Sequence, residues 1–178
     1  MCKKENINPK FCTLKDIKVN LKSGYHHYWT EYFLKKYGDG SGGKYDTYVT
    51  FKTRFMYEPY LNQIQSFKHR ASLTKFRLSN HCLKVETGRY DKPFVPRGER
   101  FCSFCKILGL NEVEDELHFL LKCSKFYDGR QDLLSKVPNI SDKLTKSQFF
   151  IFLMSAEDDT IREVARFCAV NLPKKGKI

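Results

Sequence analysis

Cys102, Cys105, His118 and Cys123 are spaced C-x2-C-x12-H-x4-C. That spacing restricts what the chain can fold into more than any other feature. Three soft thiolates and one imidazole are the donor set of a tetrahedral zinc ion. The two-residue gap lets both thiols of a knuckle turn face one metal, and the four-residue gap lets a helical His and a Cys near the helix end meet it from the other side. Four protein ligands close the coordination shell, which marks the site as structural rather than catalytic. Three thiolates around Zn²⁺ leave one net negative charge, which Arg100, Lys106 and Lys122 stand near enough in sequence to offset.

The chain's charge lies elsewhere. Of its 178 residues, the first hundred hold 20 Lys/Arg against 9 Asp/Glu, whereas the remainder hold 12 against 11. A basic field confined to the segment before the metal motif attracts polyanions, nucleic acid first among them, although a Lys-rich solvated surface gives the same composition. Apolar residues make up 41 % of the chain, enough for one core, and the longest apolar run, Phe149 to Met154, is far too short to span a bilayer. The Lys-rich start shows no secretory signal. With three of seven cysteines assigned to the metal, Cys2, Cys12, Cys82 and Cys168 read as free thiols of a reducing compartment, cytoplasm or nucleus.

Periodicity predicts a mainly α-helical chain with little or no sheet. Four segments follow: a basic, aromatic N-terminal segment with a Gly-rich linker (1–44), a basic helical segment with an Arg-rich loop (45–100), the CCHC unit (101–125) and C-terminal helices (126–178). Residues 1–24 read as an arm or a short amphipathic piece. Tyr25, Trp29 and Phe33 then fall on one helical stripe of the kind that usually packs in a core. His26 and His27 point about 100° apart on a helix, too far to chelate together. The 38–43 linker lacks the Lys-Ser/Thr of a phosphate-binding loop. Residues 45–57 are ambiguous between helix and strand. Residues 60–80 read as a helix with Leu61, Ile64, Phe67, Leu73, Phe76 and Leu78 inward and Lys68, Arg70, Lys75 and Arg77 outward, followed by a loop carrying Arg89, Arg97 and Arg100. Further helices are predicted over 113–123, 124–136, 142–155 and 158–171, the last with Ile161, Val164, Ala165 and Cys168 on one face. His118 and Cys123 lie about 500° apart on a regular helix, so Cys123 is expected where the helix unwinds.

A DNA-reading C2H2 finger has nearly the same spacing, but its interior aromatic and Leu fall here on Gly109 and Asp115. Its reading helix would begin with carboxylates at 112, 114, 115 and 116, which phosphates repel. Those acids suit a helix N-terminus instead, so the metal unit is expected to prop the basic segment before it. Thr47–Thr53, Glu58–Leu61, His69–Arg77 and Glu86–Tyr90 lead into Arg100-Phe-Cys-Ser-Phe-Cys105 and then Val113-Glu-Asp-Glu-Leu-His-Phe-Leu-Leu-Lys-Cys123. Over roughly residues 45–172 this series resembles the zinc-binding region that follows the polymerase in LINE-type (non-LTR) retrotransposon reverse transcriptases. The resemblance implies that Cys102, Cys105, His118 and Cys123 hold the metal, and that the unit grips template RNA or target DNA beside a polymerase.

No palm-type Asp-Asp turn is present. Asp158-Asp159 sits at a predicted helix start, where acids cap, and His81-Cys82 reads as structural because adjacency does not aim a base at a thiol. The expectation is a zinc-binding, nucleic-acid-binding module without catalytic residues, a membrane or a small-molecule substrate. Its phosphate contacts are expected from Lys68, Arg70, Lys75, Arg77, Arg89, Arg97 and Arg100. The alternative is a zinc-stabilised interaction domain that docks on a reverse transcriptase or a host protein.

Overall fold

The computed structural model describes residues 13–37, 43–138 and 140–172. Most of the Gly-rich linker, Cys2 and Cys12 lie outside these ranges. The described residues are mainly helical and contain no strand; their one isolated bridge pairs Phe101 with Val113 in antiparallel sense. None of the described helices is long and apolar enough to cross a membrane.

Helix α1 (Leu14–Tyr28) opens with a capping box in which Thr13 and Asp16 satisfy each other's backbone N–H groups. It buries no residue. A π-turn (Trp29–Phe33) and α2 (Leu34–Tyr37) follow. The aromatic stripe meets the body of the protein here, where Trp29 stacks on Phe33 at 4.3 Å and both meet Tyr48 edge-on, and one turn earlier, where Tyr25 stacks on Phe55 at 5.8 Å. Tyr28 and Tyr32 stay exposed, so the stripe is a half-buried seam rather than core.

The ambiguous 45–57 segment resolves into α3 (Asp46–Phe51) and an extended stretch whose Phe55, Met56 and Tyr57 face outward. The single helix expected over 60–80 is two: α4 (Tyr60–Gln63) and α5 (Phe67–Arg77). Ile64 breaks the run by turning extended (ψ 101°), and Ser66 restarts it as an N-cap for the His69 N–H. Phe67, expected inward, is therefore exposed, whereas Leu73 and Phe76 are fully buried. Helix α6 (Lys84–Thr87) and a 3₁₀ turn (Arg97–Glu99) bound the Arg-rich loop, and α7 (Ser103–Ile107) begins the metal segment.

The C-terminal part is closer to expectation. A 3₁₀ turn (Ser124–Phe126) leads into α8 (Tyr127–Leu134). Helix α9 (Lys146–Ser155) carries a Thr145/Gln148 capping box, and α10 (Asp159–Asn171) is capped by the Asp158 carboxylate on the Thr160 N–H at 2.8 Å. Helix α10 is the centrepiece. Ile161, Val164, Ala165 and Cys168 have no exposed surface, and the helix packs on α4, α5, α8 and α9. Buried residues of the 45–100, 101–125 and 126–178 segments share this one core. Phe119, next to the predicted ligand His118, lies within ring contact of Phe76, Phe126 and Phe167. The candidate metal segment is thus fused to the core rather than hung from it.

Candidate metal centre

The first half-site is a short turn-and-helix device. The Phe101–Val113 bridge is flanked by hydrogen bonds from the Cys102 N–H to the Glu112 carbonyl (2.8 Å) and from the Glu114 N–H to the Arg100 carbonyl (2.9 Å). Cys102 is the residue before α7, and Cys105 lies one turn into it. Gly109, at φ +78°, lets the chain reverse so that the Leu110 N–H returns to the Cys105 carbonyl. Val113, expected in a helix, is held in the bridge instead, and the helical stretch begins at Glu116.

The second half-site ends at Cys123, the place expected for the helix to unwind, but adds a feature beyond that expectation. His118–Lys122 is a π-turn, closed by the Cys123 N–H on the His118 carbonyl at 2.8 Å. The wider turn brings residue i+5 back beneath residue i, which a regular α-turn does not. Cys123 then leaves the helix with ψ 121°, so the chain both widens and exits there.

The result is one cluster. The ligand atoms of Cys102, Cys105, His118 and Cys123 all lie within 4.8 Å of one another, and all four residues are buried. The Cys123 sulfur is 3.8 Å from those of Cys102 and Cys105, and the Cys105 sulfur is 3.4 Å from His118 Nε2. These separations are much longer than a disulfide. Burial raises the Cys102 thiol, and burial together with the neighbouring thiols pushes Cys123 up to about 12. Burial lowers the His118 imidazole, against the nearby carboxylates, and so favours the neutral, ligating form. Such a cluster could hold a metal ion, whose charge would replace the thiol protons.

Around it stand groups whose individual roles sequence reasoning did not assign. His118 Nδ1 has no hydrogen-bond partner, and the nearest carboxylate oxygen, Glu112 Oε2, is 3.9 Å away. Glu112 in turn pairs with Lys122 at 3.2 Å. Asp115 accepts the His118 N–H at 2.7 Å and caps the helical turn. Buried Arg130 donates to the Cys123 carbonyl at 2.8 Å and sits within the electrostatic reach of that sulfur. Arg130, rather than Arg100, is therefore the buried cation of the cluster. Glu116, with 1 % of its surface exposed, accepts from Ser79 Oγ (2.6 Å), Thr47 Oγ1 (2.9 Å) and His81 Nε2 (3.0 Å), knitting three distant segments two residues before His118. His81 thus serves a buried carboxylate.

The seven basic residues expected to meet phosphate fall into three groups. Lys68 and Lys75 are exposed on one face of α5. Arg70, Arg89 and Arg97 are half-buried, Arg70 tied to the Ile64 carbonyl and Arg89 to Glu86. Arg77 and Arg100 are buried. Arg77 pairs with Glu58 at 2.9 Å, donates to the Met154 carbonyl and lies over the Phe51 and Tyr60 rings. Arg100 donates to the Val95 (3.0 Å) and Val85 (2.7 Å) carbonyls beneath the Phe94 ring. Both guanidiniums are engaged internally and hold the fold, although the buried Arg77 Nε has no hydrogen-bond partner. Desolvation, then the neighbouring charges of Arg89 and Arg97, lower Arg100. Compared with known proteins, the chain matches no family model, no curated protein and no solved structure.

Proposed function

We propose that the chain is a zinc-stapled nucleic-acid-binding module of the kind that follows the polymerase in LINE-type reverse transcriptases, with no chemistry of its own. Zinc fits the cluster. With Zn–S of about 2.3 Å and Zn–N of about 2.0–2.1 Å, a regular tetrahedron has S···S edges of about 3.8 Å and S···N edges of about 3.5 Å. The Cys123 sulfur stands 3.8 Å from each of the other two, the Cys105–His118 pair is at 3.4 Å, and all four ligand atoms lie within 4.8 Å of one another. Cys102, Cys105, His118 and Cys123 would fill all four positions, leaving none for water or substrate. When bound, the ion supplies charge neutralisation and a cross-link between the two halves of the segment.

The observation that carries the binding role is the Arg-rich loop. Arg100 ties it at one end through two carbonyls, and the backbone of the same residue pairs with Glu114 beside the metal hairpin. Fixing the metal therefore fixes a loop that carries the half-buried Arg89 and Arg97, in the half of the chain that holds the excess positive charge. Lys68 and Lys75 extend the cationic surface on α5. Binding through such groups is largely independent of sequence.

If about six phosphates are neutralised, raising salt from about 50 to 200 mM weakens binding by ~10³-fold. Titrating a fluorescent RNA hairpin across that range tests the reading, with Lys68→Ala/Lys75→Ala/Arg89→Ala as the depleted variant. A flat salt response in the unmodified protein would sink it. One observation favours the second reading, a partner-docking domain: α1 buries nothing and leaves Leu14, Ile17 and Leu21 exposed on one face. Retention on an immobilised polymerase after nuclease treatment, lost in Leu14→Asp/Leu21→Asp, would decide for it.

A further inference from the structure

Tyr90 and Phe94 are 71 % and 67 % exposed in the middle of the Arg-rich loop. A loose loop would expose them trivially, but this loop is pinned. Arg100 grips the Val95 and Val85 carbonyls, and its stem runs so close to Gly88 that a Cβ there would lie 2.9 Å from the Arg100 Cγ and Cδ. The backbone that carries the two exposed rings is therefore braced, and the Tyr90 hydroxyl donates to Glu86 at 3.3 Å. Arg100 Cζ lies 5.6 Å from the Phe94 ring centre, which leaves the other face of that ring open. Beside them, an open groove of about 520 Å³ runs between the loop and α7, floored by Val95, Phe101 and Arg100, with Lys84 and Lys106 among its walls.

We propose that unpaired bases of a single-stranded nucleic acid stack on Tyr90 and Phe94, while the strand continues into the neighbouring groove, where Lys84 and Lys106 take the adjoining phosphates. The proposal rests on the nucleic-acid reading above and narrows it. Aromatic faces are useful to a nucleobase only when its own neighbours have been peeled away, so exposed rings among cations select single strands over duplex. Asp91 and Glu99 share the walls with Lys84 and Lys106, but residues 84–106 hold six Lys/Arg against three Asp/Glu, which leaves the surroundings cationic. A guanidinium on one side of Phe94 and a base on the other form a layered stack in which both contacts favour the ring's faces.

The test uses the full chain loaded with zinc and fluorescence anisotropy of a roughly 12-nucleotide oligouridine, set against a duplex of equal length. Tyr90→Ala/Phe94→Ala is expected to lose single-strand affinity by about tenfold or more per ring, keep its duplex affinity and keep the wild-type salt slope. Lys84→Ala/Lys106→Ala is expected to flatten the slope for both. Both ring changes lie on exposed side chains, and an unshifted melting curve confirms the fold. If the ring variant binds single strands like wild type while salt still weakens binding, the groove assignment is wrong and the broader reading survives. Equal losses on both ligands also overturn the groove assignment. No salt response in any form of the protein removes the broader reading itself.

Discussion

Replacing Glu116 by Ala should be among the most damaging single changes in this chain that touches no candidate metal ligand. The carboxylate is fully buried and accepts three hydrogen bonds, from Thr47, Ser79 and His81. Hydrogen bonds to a charged group contribute roughly 1.5–3 kcal/mol each, and stranding the partners of a buried charge costs about 3–5 kcal/mol. Taking about 4 kcal/mol, and about 3 °C per kcal/mol for a chain of this length, the midpoint should fall by roughly 12 °C. Glu116→Gln keeps the shape and one acceptor, so about half that loss is expected.

The pH dependence gives an independent handle. Burial pushes the Glu116 carboxyl up, but its His81 and Ser79 partners outweigh burial and hold it below the ordinary carboxylate range. A depressed folded-state value adds stability that is fully present above the unfolded value of about 4.3 and lost as pH falls through the lower folded one. The gap between wild type and Glu116→Gln should thus be constant from pH 5 to 7 and shrink below about pH 4. The assay is thermal melting by circular dichroism of metal-saturated protein, with the exposed Glu157→Ala as control. A shift under about 2 °C for Glu116→Ala would refute the hydrogen-bond knot.

Gly88→Ala would set a Cβ 2.9 Å from the Arg100 stem and from the Lys84 carbonyl, and overpacking of that kind costs about 1–3 kcal/mol, readable as a lower urea midpoint. Phe119→Ala removes the ring that joins Phe76, Phe126 and Phe167, with an expected loss of about 3–5 kcal/mol in the same assay. Asp158→Ala deletes the α10 cap and should cost about 1 kcal/mol; an unchanged midpoint would mean the cap contributes nothing.

What could be read in advance was whatever depends on neighbours along the chain. The four Cys/His positions are marked by spacing alone, and the inward face of α10 by its 3.6-residue period. What could not be read depends on partners far away in sequence. The acids at 112, 114, 115 and 116 look alike as dipole-complementing charges, yet each has a different post. Glu112 meets Lys122, Glu114 accepts the Lys84 N–H, Asp115 caps His118, and Glu116 is buried among groups from 35 to 69 residues upstream. Likewise, nothing local separates an Arg that reaches solvent from Arg77 or Arg100, whose acceptors come from loop and helix-end carbonyls. The π-turn escaped for a related reason. A helix-period argument assumes 3.6 residues per turn and turns the misfit between His118 and Cys123 into a break. The chain does leave the helix at Cys123, but the widening of the turn before it has no signal in that period.

Elemental analysis of the purified protein addresses the metal most directly, paired with melting before and after chelation. One zinc per chain is expected, held less well by Cys102→Ser, with a large drop in melting temperature once the ion is stripped. Protein that is folded and metal-free as isolated, takes up no added zinc and melts identically with chelator would contradict the account at its root.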